Sequence, residues 1–185
     1  MTQGKDKLRL KYTLGLIYCP ETNEILLLNR YKSPWMGKWN GVGGKLDADE
    51  TPLQCIVRET KEETGLDIST YKSRGVFTWK VKFTEGAPQH EPPVGGMYLF
   101  TAAVSKEVVD SYATPIKYCK EGVLDWKDMD WVMHPENYGV VDNIQKVLET
   151  LFEADENDLY TTRYDDITLL ECKYHKGGNT DYPVF

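Results

Sequence analysis

The stretch from Gly37 to Leu66 constrains the fold more than any other, because it dictates a close-approach loop and then a bounded helix. Gly37-Lys38-Trp39-Asn40-Gly41-Val42-Gly43-Gly44 places four glycines in eight residues. Such a run lets backbone approach a ligand or a neighbouring segment closely. Thr51 suits a helix N-cap, Pro52 the first helical position, and Gln54 the closing partner of a capping box. Gly65 supplies the stop. Leu53, Ile56, Val57 and Thr60 fall on one side of this helix and are expected to face the core. Glu59 precedes Glu62 by three residues and Glu63 by four, so the three carboxylates become neighbours on one surface.

Three anions that close repel one another, and only Arg58 and Lys61 are local cations. A hard divalent cation with oxygen ligands resolves the repulsion. Mg²⁺ is expected, with Mn²⁺ as the alternative, because Mg²⁺ keeps waters that a substrate phosphate can replace. The plainer alternative is a solvated, salt-bridged helix face.

The rest of the chain supplies a scaffold of strands and one more helix. Leu8–Cys19 and Glu24–Arg30 read as strands joined by the turn Pro20-Glu21-Thr22-Asn23, a hairpin. Strands are also expected over Gly75–Phe83 and Met97–Val104, with a Pro/Gly-rich flexible loop over Glu85–Gly96 between them. Val123–Val132 reads as a further strand. Asn137–Phe152 reads as an amphipathic helix with Val140, Val141, Ile144, Val147, Leu148 and Leu151 as its apolar face. Leu159–Tyr164 and Ile167–Tyr174 form an expected terminal hairpin. No linker or repeat divides the chain, so residues 1–185 are expected to form a single α/β domain.

Length and charge limit the partners. A chain of 185 residues holds one sizeable core. The net charge of -7 disfavours duplex nucleic acid, which needs many phosphate-neutralising Lys and Arg. Small anions stay open, because bound metal ions present positive charge locally. Met1–Lys7 is polar, without a signal-like apolar run, and no run approaches the ~20 apolar residues of a membrane span. Cys19, Cys55, Cys119 and Cys172 are far apart and match no zinc spacing. They read as reduced, packed thiols, and a cytoplasmic location is expected.

The order Gly44, five residues, Glu50, seven residues, Arg58-Glu59-Thr60-Lys61-Glu62-Glu63-Thr64-Gly65-Leu66 resembles the signature box of the Nudix hydrolases. It departs only at Thr60, where that family usually carries an aliphatic residue. The resemblance implies an α/β/α sandwich with a mixed central sheet and metal-dependent cleavage of a nucleotide pyrophosphate bond. It makes Glu59, Glu62 and Glu63 metal ligands, one of them also a candidate general base. It adds a backbone carbonyl from Gly43 or Gly44 to the metal shell. Glu50 and Arg58 become a brace between loop and helix, with Arg58 also orienting a glutamate. Such enzymes often add an acidic ligand from a later loop. Glu121 is the candidate, with an exposed surface glutamate as its alternative.

The loop from Gly37 to Lys45 closely resembles the one preceding the box in MutT-like hydrolases of oxidised purine nucleoside triphosphates. That likeness makes Asn40 a base contact, and places Lys45, Glu136 and Asn137 on the substrate. The expected substrate is a small nucleotide such as 8-oxo-dGTP, cut to the monophosphate and pyrophosphate, a nucleotide-pool sanitation role that protects DNA. Asn40 has a second reading as a turn former, and Asn137 as a helix cap. Phe77, Trp79 and Trp131 either stack a purine or belong to the core. Two rival functions stand beside this one: a broader pyrophosphatase acting on sugar nucleotides or dinucleotide polyphosphates, and a binding module that has lost catalysis. The second is disfavoured by the intact carboxylates. Nothing in the sequence names a protein partner.

Overall fold

A computed structural model describes residues 8–86, 92–112 and 117–180. The N-terminal Met1–Lys7 and part of the expected 85–96 loop lie outside the described residues. Strand β1 (Tyr12–Cys19) pairs antiparallel with β2 (Glu24–Arg30), so the expected hairpin forms, with Ile17 opposite Leu26. The short β3 (Trp39–Asn40) lies on β2. Helix α1 spans Pro52–Thr64, followed by β4 (Lys72–Lys82) and β5 (Val94–Ala103). Next come α2 (Lys106–Ser111), β6 (Lys117–Tyr118), β7 (Gly122–Asp128) and α3 (Met129–Val132). Helix α4 (Asp142–Leu151) precedes the hairpin of β8 (Leu159–Asp165) and β9 (Thr168–His175).

Among the described residues, nine strands form one sheet, in the order β6-β7-β2-β1-β5-β4-β8-β9 with β3 beside β2. The pairs β1–β5 and β4–β8 are parallel and the others antiparallel, so the sheet is mixed. Successive residues of a strand point to opposite faces. Ile25 and Leu27 of β2 join the core under α4, while Leu26 and Leu28 join the core under α2. Both faces are covered, which is why Ile25–Leu28 reads as an unbroken apolar run. Each such fully buried side chain contributes about 1.5–3 kcal/mol. Helix α1 crosses β1 at Gly15, where an added Cβ would lie 2.7 Å from Ile56 Cδ1. Helices thus cover both sides of the mixed sheet. None of the described helices is long and apolar enough to cross a membrane. All four cysteines are free thiols.

Several elements differ from their sequence reading. The buried side of α1 is Cys55, Ile56, Thr60, Glu63 and Thr64, whereas Leu53 is 45% exposed. The stripe is set by Ile56 against Gly15, and Thr60 tolerates burial because its hydroxyl meets Tyr71 Oη at 2.6 Å. Helix α4 begins at Asp142, five residues later than expected. Trp39 N–H donates to Gly139 O and Val141 N–H donates to Trp39 O, so this stretch pairs as extended chain instead. Strand β7 stops at Asp128, whose carboxylate caps α3 by accepting from Trp131 N–H. Strand β4 starts earlier than expected, at Lys72, and β5 reaches back to Val94.

Candidate active site

The capping signals of α1 operate as read. Thr51 Oγ1 accepts from Gln54 N–H, the Gln54 side chain accepts from Thr51 N–H, and Gly65 ends the helix at φ 77°. The glycine loop then lies against the carboxylate face. Gly43 sits at φ 142°, and a Cβ there would lie 2.3 Å from Thr13 O. A Cβ on Gly44 would lie 2.3 Å from Glu59 Oε1, so the glycine lets that carboxylate lie directly against the loop.

The three box glutamates have different environments. Glu63 is 8% exposed and accepts from Gly43 N–H at 3.0 Å. Burial pushes its carboxyl up to about 8, although the Gly43 bond opposes the shift. The charges of Glu59 and Glu121 push the same way, so Glu121 faces the same site. Glu59 is also shifted upward, chiefly by burial, with Arg58 opposing. Glu62 is exposed, and its carboxylate meets Arg58 Nη1 at 3.4 Å.

Arg58 organises the loop side of the site. Its Nε and Nη2 donate to the two oxygens of Glu50, both at 2.8 Å, and its Nη1 donates to Glu59 Oε1 at 2.9 Å. Nη2 also donates to Lys45 O at 3.2 Å. This two-pronged bond holds the Glu50 carboxyl at about 2, well below its ordinary value. The Arg58 guanidinium is held correspondingly more basic. Glu121, from the turn before β7, is ion-paired with Lys32 at 3.2 Å.

A cleft of about 1030 Å³ begins at Glu59, Glu62, Glu63, Gly43 and Gly44, with Lys45 and Glu121 on its rim. The same cleft is lined by Asn40 and by the aromatic rings of Tyr12, Trp35, Phe77, Trp79 and Tyr164, its aromatic chamber. Its size suits a nucleotide, and aromatic walls with a few polar groups suit a flat heterocycle. Asn40 Oδ1 accepts from Gly41 N–H at 2.9 Å, which leaves its Nδ2 as a donor. Phe77 and Trp79 belong to the core, one of their two readings, and their rings also line the chamber.

Glu136, Asn137 and Trp131 do not line this cleft. Asn137 Oδ1 accepts from Gly139 N–H and its Nδ2 donates to Trp131 O, so both ends of the amide are engaged in a turn. Nor does it cap a helix, because Val141 takes that place. Glu136 is exposed beside it. Trp131 lies under the Lys127 ammonium instead. The sequence reading missed Trp35, Tyr164 and Asn143. Asn143 lies in the first turn of α4, and its Nδ2 donates to Tyr164 Oη at 2.9 Å. A polar residue next to the apolar stripe of a helix start was the available signal for it. Trp35 lies outside any periodic element and gave none.

Among the described residues, no three of His, Cys, Asp and Glu converge on a preformed metal shell. Arg58 instead holds Glu59 and Glu62. The donor set still fits a hard cation: three carboxylates share one face, and Glu63 is buried with no direct ion pair among the described residues, only the charge of Arg30 partly offsetting its burial.

Residues 10–150 match the family model of the NUDIX domain. The chain belongs to this family. It is similar to an 8-oxo-dGTP diphosphatase of Proteus vulgaris, 40% identical over 65 residues, covering 35% of this chain and 57% of that protein. It is also similar to a dihydroneopterin triphosphate diphosphatase of Haemophilus influenzae, 43% identical over 56 residues, covering 30% of this chain and 34% of that protein. The chain thus spans only 57% and 34% of the length of these curated relatives. The crystal structure of a MutT protein from Bacillus halodurans shares the fold, with TM-score 0.65 and 24% identity over 88% of this chain and 95% of that one. Nudix hydrolases generally use divalent metal ions.

Proposed function

We propose that this Nudix chain hydrolyses a phosphoric anhydride bond in a nucleotide, and that its preferred substrates are oxidised purine nucleoside triphosphates such as 8-oxo-dGTP. The observation that carries the reading is a single cleft lined both by the carboxylates of α1 and by aromatic rings, with the Asn40 amide on the same wall. Phosphates and a flat base thereby have adjoining places. The similarity to an 8-oxo-dGTP diphosphatase supports the same choice.

Glu59, Glu62, Glu63 and Glu121 are the side chains that would hold Mg²⁺ or Mn²⁺. Gly44 O already accepts from Thr13 N–H at 2.9 Å, which favours the Gly43 carbonyl as the backbone ligand. When bound, the metal neutralises phosphate charge and supplies an activated water. Glu63 gives up its proton on cation binding, so affinity for the metal rises with pH. Arg58 keeps Glu59 against Gly44 and ties Lys45 to the helix. A carboxylate of the cluster takes the proton of the attacking water. Asn40 Nδ2 donates to an acceptor on the base edge, and the aromatic walls exclude water around the ring. The products are the monophosphate and pyrophosphate, and the role is nucleotide-pool sanitation in the cytoplasm.

A broader pyrophosphatase is the second reading, favoured by the different substrates in the relatives' names. One measurement tests both: kcat/KM for 8-oxo-dGTP, 2-hydroxy-dATP, dGTP, dihydroneopterin triphosphate and a nucleoside diphosphate sugar. Preference for the first two supports sanitation. Equal or better turnover of the sugar nucleotide overturns it.

A further inference from the structure

Trp35 has a backbone that its side chain opposes. Its φ is 67°, in the left-handed region that bulky L residues avoid. Two residues later the same loop needs a positive φ again and uses glycine, Gly37 at 79°, with open space around it. Glycine or asparagine at position 35 would relieve the backbone. The loop instead carries the largest side chain there, half-buried in the cleft.

The surrounding bonds hold that conformation. Arg30 Nε donates to Pro34 O at 3.0 Å, Lys38 N–H donates to Trp35 O at 3.0 Å, and Gly37 N–H donates to Arg30 O at 2.8 Å. Asn29 Nδ2 donates to Gly37 O at 2.9 Å, and Lys38 reaches Asp142 of α4 at 3.1 Å. The loop is therefore fastened to β2 at one end and to α4 at the other. The Trp35 ring meets Tyr164 with centroids 6.0 Å apart, and Tyr164 Oη in turn accepts from Asn143. The same cleft is lined by Tyr12, Trp79 and Phe77, whose rings form a further aromatic group with centroids 6.2 and 6.5 Å apart.

We propose that Trp35 is a specificity-determining wall of the chamber, presented by its left-handed backbone to stack on one face of a purine base. The inference rests on the reading of the chamber as the base site. Through Tyr164, Trp35 also steadies the Asn143 amide, whose Oδ1 remains as an acceptor. A packing role alone needs apolar bulk at position 35. Stacking needs a flat ring.

The test compares W35F and W35L, both apolar, with wild type. Binding of the non-hydrolysable α,β-imido analogue of dGTP and of inorganic tripolyphosphate is measured by calorimetry with Mg²⁺ present, after thermal melts show that each variant is folded. Wild type is expected to favour the nucleotide analogue. W35L is expected to lose about tenfold or more of that advantage, the scale of one base–aromatic stack, with tripolyphosphate binding unchanged. W35F is expected to keep most of it. The proposal is overturned if W35L keeps the wild-type advantage, or if W35F falls as far as W35L. If wild type itself shows no advantage for the nucleotide analogue, the base-site reading fails first and the role of Trp35 falls with it.

Discussion

Replacing Glu63 by glutamine separates what the buried carboxyl costs the fold from what it does for chemistry. In the metal-free protein the folded state keeps the Glu63 proton up to about pH 8, whereas the unfolded chain releases it near 4.5. A carboxyl raised in this way contributes its stability below 4.5 and loses it as pH rises toward 8. Between pH 4.5 and 7 the interval is 2.5 units, or about 3 kcal/mol at about 1.4 kcal/mol per unit. Glutamine is close in shape, does not titrate, and can still accept from Gly43 N–H. Metal-free Glu63→Gln is therefore expected to match wild type near pH 4.5 and exceed it by about 3 kcal/mol at pH 7. Urea melts of both proteins in EDTA across pH 4.5–8 measure the difference, in which titrating groups not coupled to Glu63 cancel. Added Mg²⁺ should restore wild type far more than the variant, and the variant should be inactive. Parallel pH profiles for the two proteins would refute the argument, because they would mean that Glu63 ionises as freely in the fold as outside it.

The other expectations concern chemistry and recognition. Glu62→Gln, at an exposed position, should change stability by no more than about 0.5 kcal/mol. It should nevertheless lower kcat by about a hundredfold or more, because an amide cannot supply ligand charge; EDTA should abolish wild-type turnover and Mg²⁺ restore it. Chromatography of a complete nucleoside triphosphate digest should show the monophosphate and pyrophosphate, and orthophosphate as the first product would count against the proposed orientation. Asn40→Ala should reduce the ratio of kcat/KM for 8-oxo-dGTP over dGTP, whereas Asn137→Ala should leave that ratio unchanged, since its amide is spent in a turn. Arg58→Lys keeps the charge but loses the fork to Glu50, and should cost about 1–3 kcal/mol in a denaturant melt.

The parts of the site written in one continuous segment were legible in advance. Helix α1, its caps, its three carboxylates and the Glu50–Arg58 brace all lie between Thr51 and Gly65 or just before it, so spacing along the chain is spacing in space. The hairpin at 159–174 was legible for the same reason, since alternation and a turn suffice. The chamber was not, because Trp35, Phe77, Asn143 and Tyr164 come from four separate stretches of the chain, one loop and three elements, that meet only in the folded sheet. The misplacement of Asn137 has a specific cause. Val140 and Val141 are buried as a helical stripe requires, but they reach the core as extended chain paired with Trp39, so a correct burial pattern concealed a wrong conformation. Leu53 failed in the opposite way: its periodicity was right, but Gly15 set the rotation of the helix.

The parallel pairing of β4 with β8 gives the two halves of the site different histories during folding. The carboxylate helix needs only local contacts and a nearby β1 to take shape. The chamber wall at Tyr164 exists only after Val76 has found Leu159 and Val81 has found Tyr164. Contacts so distant along the chain form slowly, because loop closure must come before any gain. A chain caught between these events would carry its acidic helix with no means of choosing a base. If the chamber reads the base as proposed, selectivity depends on the contact that forms later. Heat or denaturant that loosens the β8–β9 hairpin should erode discrimination between nucleotides before it erodes the capacity to cut them.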